Sequence, residues 1–234
     1  MIDAILKGKI SRQVEGKEDM LTSITFGIMK LLPAHLGIAK LLQNVQGLPW
    51  EVGTSKKFPP LEIDSMHIDF WPWWHGEGVD YGAEPDVAIL LTLNDGNKKL
   101  IAVEVKRSSS IHGENERNQL RRQIVNGMVI ARDQKAEFIG LIYVTEHFTI
   151  PVNDIEISQM ALARSEINSD LIYWMSWRDF IPLLRTINKE AHSYKKVVED
   201  VINCLQRWRL FRYQGFTTPK TFSDEPRLWH FIRG

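Results

Sequence analysis

Two acidic residues and one lysine are spaced so that a strand hairpin can bring them together. Asp86 opens one apolar run, and Glu104 and Lys106 close a second run that follows a short Asn-Asp-Gly turn. Because side chains alternate across a strand, Glu104 and Lys106 share one face. Two carboxylates and an ammonium group at the end of a strand can hold a divalent metal ion and activate a water molecule.

The length of the hairpin loop decides whether Asp86 meets Glu104. A two-residue Asp95-Gly96 loop places Asp86 opposite Val105, on the wrong face of the sheet. A three-residue loop over 94–96 places Asp86 opposite Glu104, in a type I turn with Gly96 in the left-handed position. A shared site requires the second register. The alternative is a surface hairpin with solvated acids, which the apolar residues on both faces of the second run disfavour.

Pro85-Asp86 and Glu104-Val105-Lys106 resemble the motif of the PD-(D/E)XK, or restriction-endonuclease-like, nuclease superfamily. The resemblance covers residues 80–145 well and the rest loosely. It implies an α/β fold with a mixed β-sheet flanked by helices. It also implies that Asp86, Glu104 and the carbonyl group of Val105 bind Mg²⁺ or Mn²⁺, and that Lys106 orients or helps to activate the attacking water.

Further polar residues extend this candidate site. Many members of the superfamily carry an additional carboxylate on an N-terminal helix, and several carry a glutamine on the helix after the Glu-x-Lys strand; Glu18 and Gln119 are the candidates here. An acid in the first turn of a helix is also favoured by the helix dipole, and Gln119 also fits a solvated helix face. We expect Arg117, Arg121 and Arg122 to contact phosphates, with a solvated basic face as the alternative.

The periodicity of apolar residues predicts the elements that position these groups. Gln119, Arg122, Gln123 and Asn126 are spaced to form one polar face of a helix. Residues 46–80 are rich in proline and glycine and are expected to be irregular. The predicted helices cover residues 17–45 with a break at Pro33, Asn115 to Arg132, 178–188 and 192–210, and the predicted strands cover 86–93, 98–107, Phe138 to Val144 and Leu171 to Met175.

Helices and strands that alternate in this way indicate one α/β domain over residues 1–234. Its nuclease-like core is expected at about 80–180, with a helical N-terminal portion at about 15–46 and a C-terminal helical part at about 178–212. The aromatic segment Phe70-Trp71-Pro72-Trp73-Trp74-His75 is expected to be largely buried, in the core or across a dimer contact. Base stacking is the alternative for these rings.

Composition limits the class of protein and its partners. The 234 residues include 29 Lys plus Arg and 29 Asp plus Glu, so the formal net charge is zero. Nucleic-acid binders usually carry a basic bias, and any such surface must therefore be local. A single cysteine, Cys204, excludes an internal disulfide. The absence of a long apolar run or a signal pattern leads us to expect a cytoplasmic location and no membrane partner.

The expected activity is metal-dependent hydrolysis of phosphodiester bonds, with DNA as the favoured substrate, Mg²⁺ or Mn²⁺ as the cofactor and a homodimer as a possible assembly. Three alternatives stay open. The chain can be a noncatalytic nucleic-acid-binding or assembly subunit, a ribonuclease, or an unrelated α/β protein in which the hairpin acids are structural. The neutral net charge favours the first of these mildly, whereas the intact set of two acids and a lysine argues against it.

Overall fold

A computed structural model describes residues 6–7, 18–47, 57–107 and 111–211, and these residues form a mixed β-sheet flanked by helices. The strands are β1 (Gln46–Gly47), β2 (Ile63–Phe70), β3 (Val87–Leu93), β4 (Lys98–Lys106), β5 (Glu137–Thr145) and β6 (Ile172–Ser176). The helices are α1 (Glu18–Leu31), α2 (Ile38–Asn44), α3 (Gln119–Asp133), α4 (Val152–Ala163), α5 (Phe180–Glu190) and α6 (Lys195–Arg207).

The strands lie in the order β1-β6-β5-β4-β3-β2. β4 is parallel to β5 and β5 is parallel to β6, with α3 and α4 as the crossover connections, and the remaining pairs are antiparallel. The parallel strands therefore end at the same edge of the sheet. Helices that cross over between parallel strands pack on the sheet and cover it.

The β3–β4 hairpin has the register that the candidate site requires. Val87 pairs with Val103 and Leu90 with Leu100, so Asp86 stands opposite Glu104. The loop has three residues, closed by a bond of 2.8 Å from the Leu93 amide to the Asn97 carbonyl. Gly96 adopts a φ of +82°, which costs a glycine little. The prediction of the three-residue loop is confirmed.

The two faces of β4 belong to different layers. Ile101, Val103 and Val105 pack in a large core with residues of α1, α5 and α6. Leu100 and Ala102 pack in a second core with residues of α3 and α4. Glu104 and Lys106 continue the second face, so the candidate site lies on the side of the sheet that α3 and α4 cover.

Three elements differ from the prediction. Residues 46–80 contain the two-residue strand β1, which pairs with β6 at one edge of the sheet, and β2, which pairs with β3 along its length at the other edge. Its alternating exposed and half-buried or buried residues form the two-residue period of a strand, which the surrounding prolines obscured. α4 was not predicted, because exposed apolar residues such as Ile157 and Met160 blur its helical periodicity.

The predicted helices at the two ends of the described chain are present, with the break at Pro33 between α1 and α2. Residues 15–17 and 212 of the predicted N- and C-terminal portions lie outside the described residues. Among the helices that the structure describes, none has the length and apolarity needed to span a membrane.

Candidate functional site

The end of β4 carries two charged side chains into the interior. Glu104 is 1% exposed and Lys106 is 8% exposed. The Lys106 ammonium nitrogen lies 2.5 Å from Oε1 of Glu104, which is a tight ion pair. Burying either charge alone is costly, and each offsets the cost of the other.

Asp86 joins this pair from the start of the neighbouring strand. Oδ2 of Asp86 accepts a hydrogen bond of 2.7 Å from the backbone amide of Val105, so its carboxylate lies beside the Glu104–Val105 peptide. Burial, followed by repulsion from Glu104, raises the pKa of Asp86 to about 7. Two carboxylates that resist simultaneous ionisation are typical of a site that awaits a cation.

Glu18 reaches the site by an unexpected route. α1 packs on the opposite face of the sheet, where Leu21 and Ile24 belong to the large core. Its first residue nevertheless extends past the end of β4. Oε2 of Glu18 accepts a bond of 2.7 Å from the Arg107 amide, and Oε1 lies 3.6 Å from the Lys106 ammonium. Glu18 therefore lies next to Lys106 although its helix belongs to the other layer; that packing is the one expected of a helix-end acid, and a role of Glu18 as a metal ligand stays a prediction.

Two glutamines from the first turns of α3 hold the Glu104 carboxylate. Gln119 Nε2 donates to Oε1 of Glu104 over 2.6 Å, and Gln123 Nε2 donates to Oε2. The i, i+4 spacing puts both amides on one side of the helix. Gln119 was predicted at the site, whereas Gln123 was assigned only to a polar helix face. That face is turned inwards, because Gln123 is buried.

Burial and neighbouring charges shift the pKa values of both Glu104 and Lys106. Burial raises the pKa of Glu104. Burial also lowers the pKa of Lys106, but the attraction of Glu104 and its other carboxylate neighbours outweighs this effect and raises it above the ordinary value. Lys106 therefore remains an ammonium ion at neutral pH. It is surrounded by three carboxyl groups, those of Glu104, Glu18 and Asp86, so the pocket favours an additional cation.

The donor set fits a hard divalent cation. Asp86, Glu104 and the Val105 carbonyl supply oxygen atoms, which Mg²⁺ and Mn²⁺ prefer. In the part of the chain that the structure describes, no group of three or more His, Cys, Asp or Glu side chains is arranged to hold a metal ion. A site of this composition would thus depend on two carboxylates, a backbone carbonyl and water, which is the coordination that Mg²⁺ commonly has in proteins.

The three arginines predicted to contact phosphate differ in their surroundings. Arg121 hydrogen-bonds the hydroxyl of Ser165 through Nε and Nη2. Arg122 donates to the carbonyl of Gly82 over 3.0 Å. Arg117 is exposed and stacks on the ring of Tyr81 at 5.7 Å. Arg121 and Arg122 therefore help to hold the fold, and phosphate binding by the three arginines stays a prediction.

The tryptophan segment is only partly buried. Trp74 is 4% exposed, as expected, but Trp71 is 36% and Trp73 is 67% exposed. The expectation of burial within the fold is wrong for Trp71 and Trp73. Both follow the end of β2, where the chain leaves the sheet.

Comparison with protein-family models, with curated proteins and with solved structures finds no match for this chain. Its function must therefore be argued from the chemistry of the site, since a general α/β class is compatible with many activities.

Proposed function

We propose that this protein is a metal-dependent nuclease of the PD-(D/E)XK type with a restriction-endonuclease-like fold. It would hydrolyse phosphodiester bonds, with DNA as the favoured substrate. One observation carries the proposal: the buried Glu104 carboxylate pairs with Lys106 at 2.5 Å, and Asp86 faces it across the hairpin register. A buried ion pair stabilises a protein no better than an apolar pair that fills the same space. Stability alone therefore does not account for this set of charged side chains, and a function does.

The residues present would divide the work between binding and charge stabilisation. Asp86, Glu104 and the Val105 carbonyl would hold Mg²⁺ or Mn²⁺, and when bound this ion supplies a Lewis acid and a water molecule of lowered pKa. Gln119 and Gln123 fix the orientation of Glu104, as partners of metal ligands commonly do.

Lys106 is suited to one of its two candidate roles. Because its pKa is raised, it holds its proton at neutral pH and cannot act as a general base there. It would instead stabilise the negative charge that accumulates on the phosphate oxygens and orient the attacking water. The attraction of Glu104, and less strongly that of Glu18 at 3.6 Å, favours the charged ammonium group.

The test is cleavage of supercoiled plasmid by the purified protein with Mg²⁺ or Mn²⁺, with EDTA added to parallel samples. Wild type should nick the plasmid only when the metal is present. Lys106→Ala should lose about a hundredfold to a thousandfold in rate, because removing one charge-stabilising donor commonly costs this much.

Lys99→Ala is the matched control for this experiment. Lys99 lies on the same strand and pairs with Glu137, whose side chain is 66% exposed. Surface pairs of this kind contribute little, so Lys99→Ala should cleave like wild type. Metal-dependent nicking that survives unchanged in Lys106→Ala would remove the nuclease assignment from this site.

A noncatalytic nucleic-acid-binding or assembly subunit is the second candidate. Glu104 already accepts from Lys106, Gln119 and Gln123, and such contacts are compatible with a purely structural carboxylate. Titration calorimetry with Mn²⁺ separates the two candidates, because a structural site binds no ion. The cleavage assay, repeated on a labelled RNA with metal or EDTA, decides whether RNA replaces DNA as the substrate.

A further inference from the structure

The segment over residues 71–86, which we call the tryptophan loop, connects β2 to Asp86. It presents Trp73 with 67% of its surface exposed. Trp71, two residues earlier, adopts a φ of +50°, a left-handed conformation that is unfavourable for a bulky side chain. Strain of this kind persists only where the surroundings hold the backbone in place, and it is concentrated at functional sites.

Hydrogen bonds from α3 and within the loop hold the loop against the helix. Asn126, which is fully buried, donates to the carbonyl of Tyr81 over 2.8 Å and accepts from the Gly76 amide over 2.8 Å. Arg122 donates to the carbonyl of Gly82. Trp74 and Ala83 exchange two backbone hydrogen bonds of 2.8 Å each. The helix that orients Glu104 therefore also fixes the tryptophan loop.

The Trp73 ring is itself held in place. A Cβ atom added at Gly82 would lie 2.6 Å from Cζ2 of Trp73, so the ring packs directly on the glycine backbone. Any larger residue at position 82 would displace the ring. Trp73 is thus an exposed aromatic surface with a rigid support, whereas a tryptophan on a free loop would lose conformational entropy on binding.

An open groove of about 560 Å³ lies beside the Trp73 ring. Its floor includes Ala88, Leu90 and Leu100, which belong to the sheet face that carries Asp86 and Glu104. Leu90 is four residues from Asp86 along β3, or about 13 Å at the rise of a strand. A strand that occupied both the groove and the carboxylate site would have to span this distance.

The charged groups that line the groove suit an anion attached to an aromatic group. They are His67, Asp69 and Lys98. The carboxylate of Asp69 is hydrogen-bonded by His67 at 2.9 Å, and Lys98 provides the ammonium group of the lining. Nucleic acids combine these chemical features, because each flat base is linked to a phosphate.

We propose that Trp73 is a stacking surface for a base of an unpaired strand, with Lys98 contacting the adjacent phosphate. This inference deepens the proposed nuclease function by naming single-stranded nucleic acid as the form of substrate bound beside the carboxylate site. A duplex keeps its bases stacked inside, so only an unpaired or frayed strand can offer a base to the ring.

The experiment measures the binding of a fluorescein-labelled oligothymidylate by anisotropy in EDTA, where cleavage cannot occur. Trp73→Ala should raise Kd about tenfold, equivalent to about 1.4 kcal/mol, while Trp73→Phe retains a ring and should stay within about threefold. Lys98→Gln should weaken binding and reduce its dependence on salt. Met128→Ala removes an exposed apolar side chain from the outer face of α3 and should bind like wild type.

Folding is monitored by thermal unfolding, and if Trp73→Ala does not fold, Lys98→Gln remains the test, because wild-type affinity and salt dependence in Lys98→Gln would overturn the proposal. Equal affinity in wild type and Trp73→Ala, or no binding by wild type, overturns the proposal. A wild-type dimer that Trp73→Ala converts to a monomer also overturns it, because the groove is then a subunit contact. Binding that depends on Trp73 in a protein that never nicks plasmid supports the stacking surface and rejects the nuclease function.

Discussion

Glu104 is the most enclosed charged residue of the site, and its neighbours determine its state. The amides of Gln119 and Gln123 and the ammonium group of Lys106 all donate to it. The carbonyl oxygens of both glutamines are buried without a protein partner in the described structure. Water molecules in a metal-bound site would provide these carbonyls with donors. Because both amides donate to Glu104 and neither side chain is itself a proposed ligand, we regard the glutamines as positioning residues.

Gln123→Leu tests this role. The variant removes one hydrogen bond to a buried carboxylate, so we expect it to lose about 1.5–3 kcal/mol of stability and about tenfold to a hundredfold in Mn²⁺ affinity. Calorimetry and urea unfolding provide the two measurements. Gln159→Leu is the control, since Gln159 donates only a long 3.4 Å bond to the Ser169 carbonyl. Unchanged metal affinity in Gln123→Leu would reduce Gln123 to a packing role.

Asp86 makes stability depend on pH in a specific direction. Its pKa is about 7 in the folded chain and about 3.8 without the fold. Between these values the folded state binds more protons than the unfolded state, so the free energy of unfolding falls as pH rises. Asp86→Asn should remove this loss in metal-free buffer and be more stable than wild type above pH 7, by an amount on the order of a few kcal/mol.

Urea unfolding of wild type and Asp86→Asn from pH 4 to pH 8 measures the effect. Asp95→Asn is the control on the same hairpin. The amide of Asn97 lowers the pKa of the exposed Asp95, so its contribution is constant above pH 5 and is lost only at acidic pH; the difference in stability between Asp95→Asn and wild type should therefore not change with pH above pH 5. Parallel pH profiles for wild type and Asp86→Asn would contradict the burial of an ionisable Asp86.

At the scale of elements, the approach of α3 to β5 requires a glycine. A Cβ atom at Gly127 would lie 2.5 Å from Cε2 of Phe138, whereas one at Gly27 in α1 has no atom within 4 Å. Both residues are inside helices, where alanine is otherwise favoured by about 1 kcal/mol. The two positions therefore have opposite requirements, although the sequence presents both as helical glycines.

Gly127→Ala should destabilise the protein by about 1–3 kcal/mol because the new methyl group overpacks the contact with Phe138. Gly27→Ala should stabilise it by about 0.5–1 kcal/mol. Thermal or urea unfolding of the two variants provides the measurement, and each serves as the control for the other. A stabilised Gly127→Ala would mean that α3 lies farther from β5.

At the scale of the whole molecule, the site joins both layers. α1 contributes Glu18 from one layer, the hairpin contributes Asp86 and Glu104, and α3 contributes Gln119 from the other layer. A ligand bound where these elements meet stabilises all of them against unfolding.

Mn²⁺ should therefore raise the Tm of wild type. An ion present at a hundred times its Kd contributes about 2.7 kcal/mol, which corresponds to about 5–10 °C for a chain of this size. Asp86→Ala should show a much smaller rise, and KCl at matched ionic strength should show none. If Mn²⁺ raises the Tm of Asp86→Ala as much as that of wild type, the ion binds somewhere else.

The sequence by itself determined the parts of the site that depend on local geometry. The alternation of β4 places Glu104 and Lys106 on one face, and the Asn-Asp-Gly turn sets the register that brings Asp86 opposite Glu104. The spacing of α3 orients Gln119 in the same way. Each of these relations spans a few residues and follows from strand or helix periodicity.

The tertiary structure decided what depends on packing between distant segments. Glu18 reaches Lys106 although its helix covers the opposite face, and no periodicity relates residues separated by that length of chain. The burial of Gln123 and Asn126 on the polar face of α3 and the exposure of Trp73 likewise depend on which distant segments pack against them. Hydrophobicity favours the burial of an aromatic side chain, but the side chain is buried only where other segments of the fold pack over it.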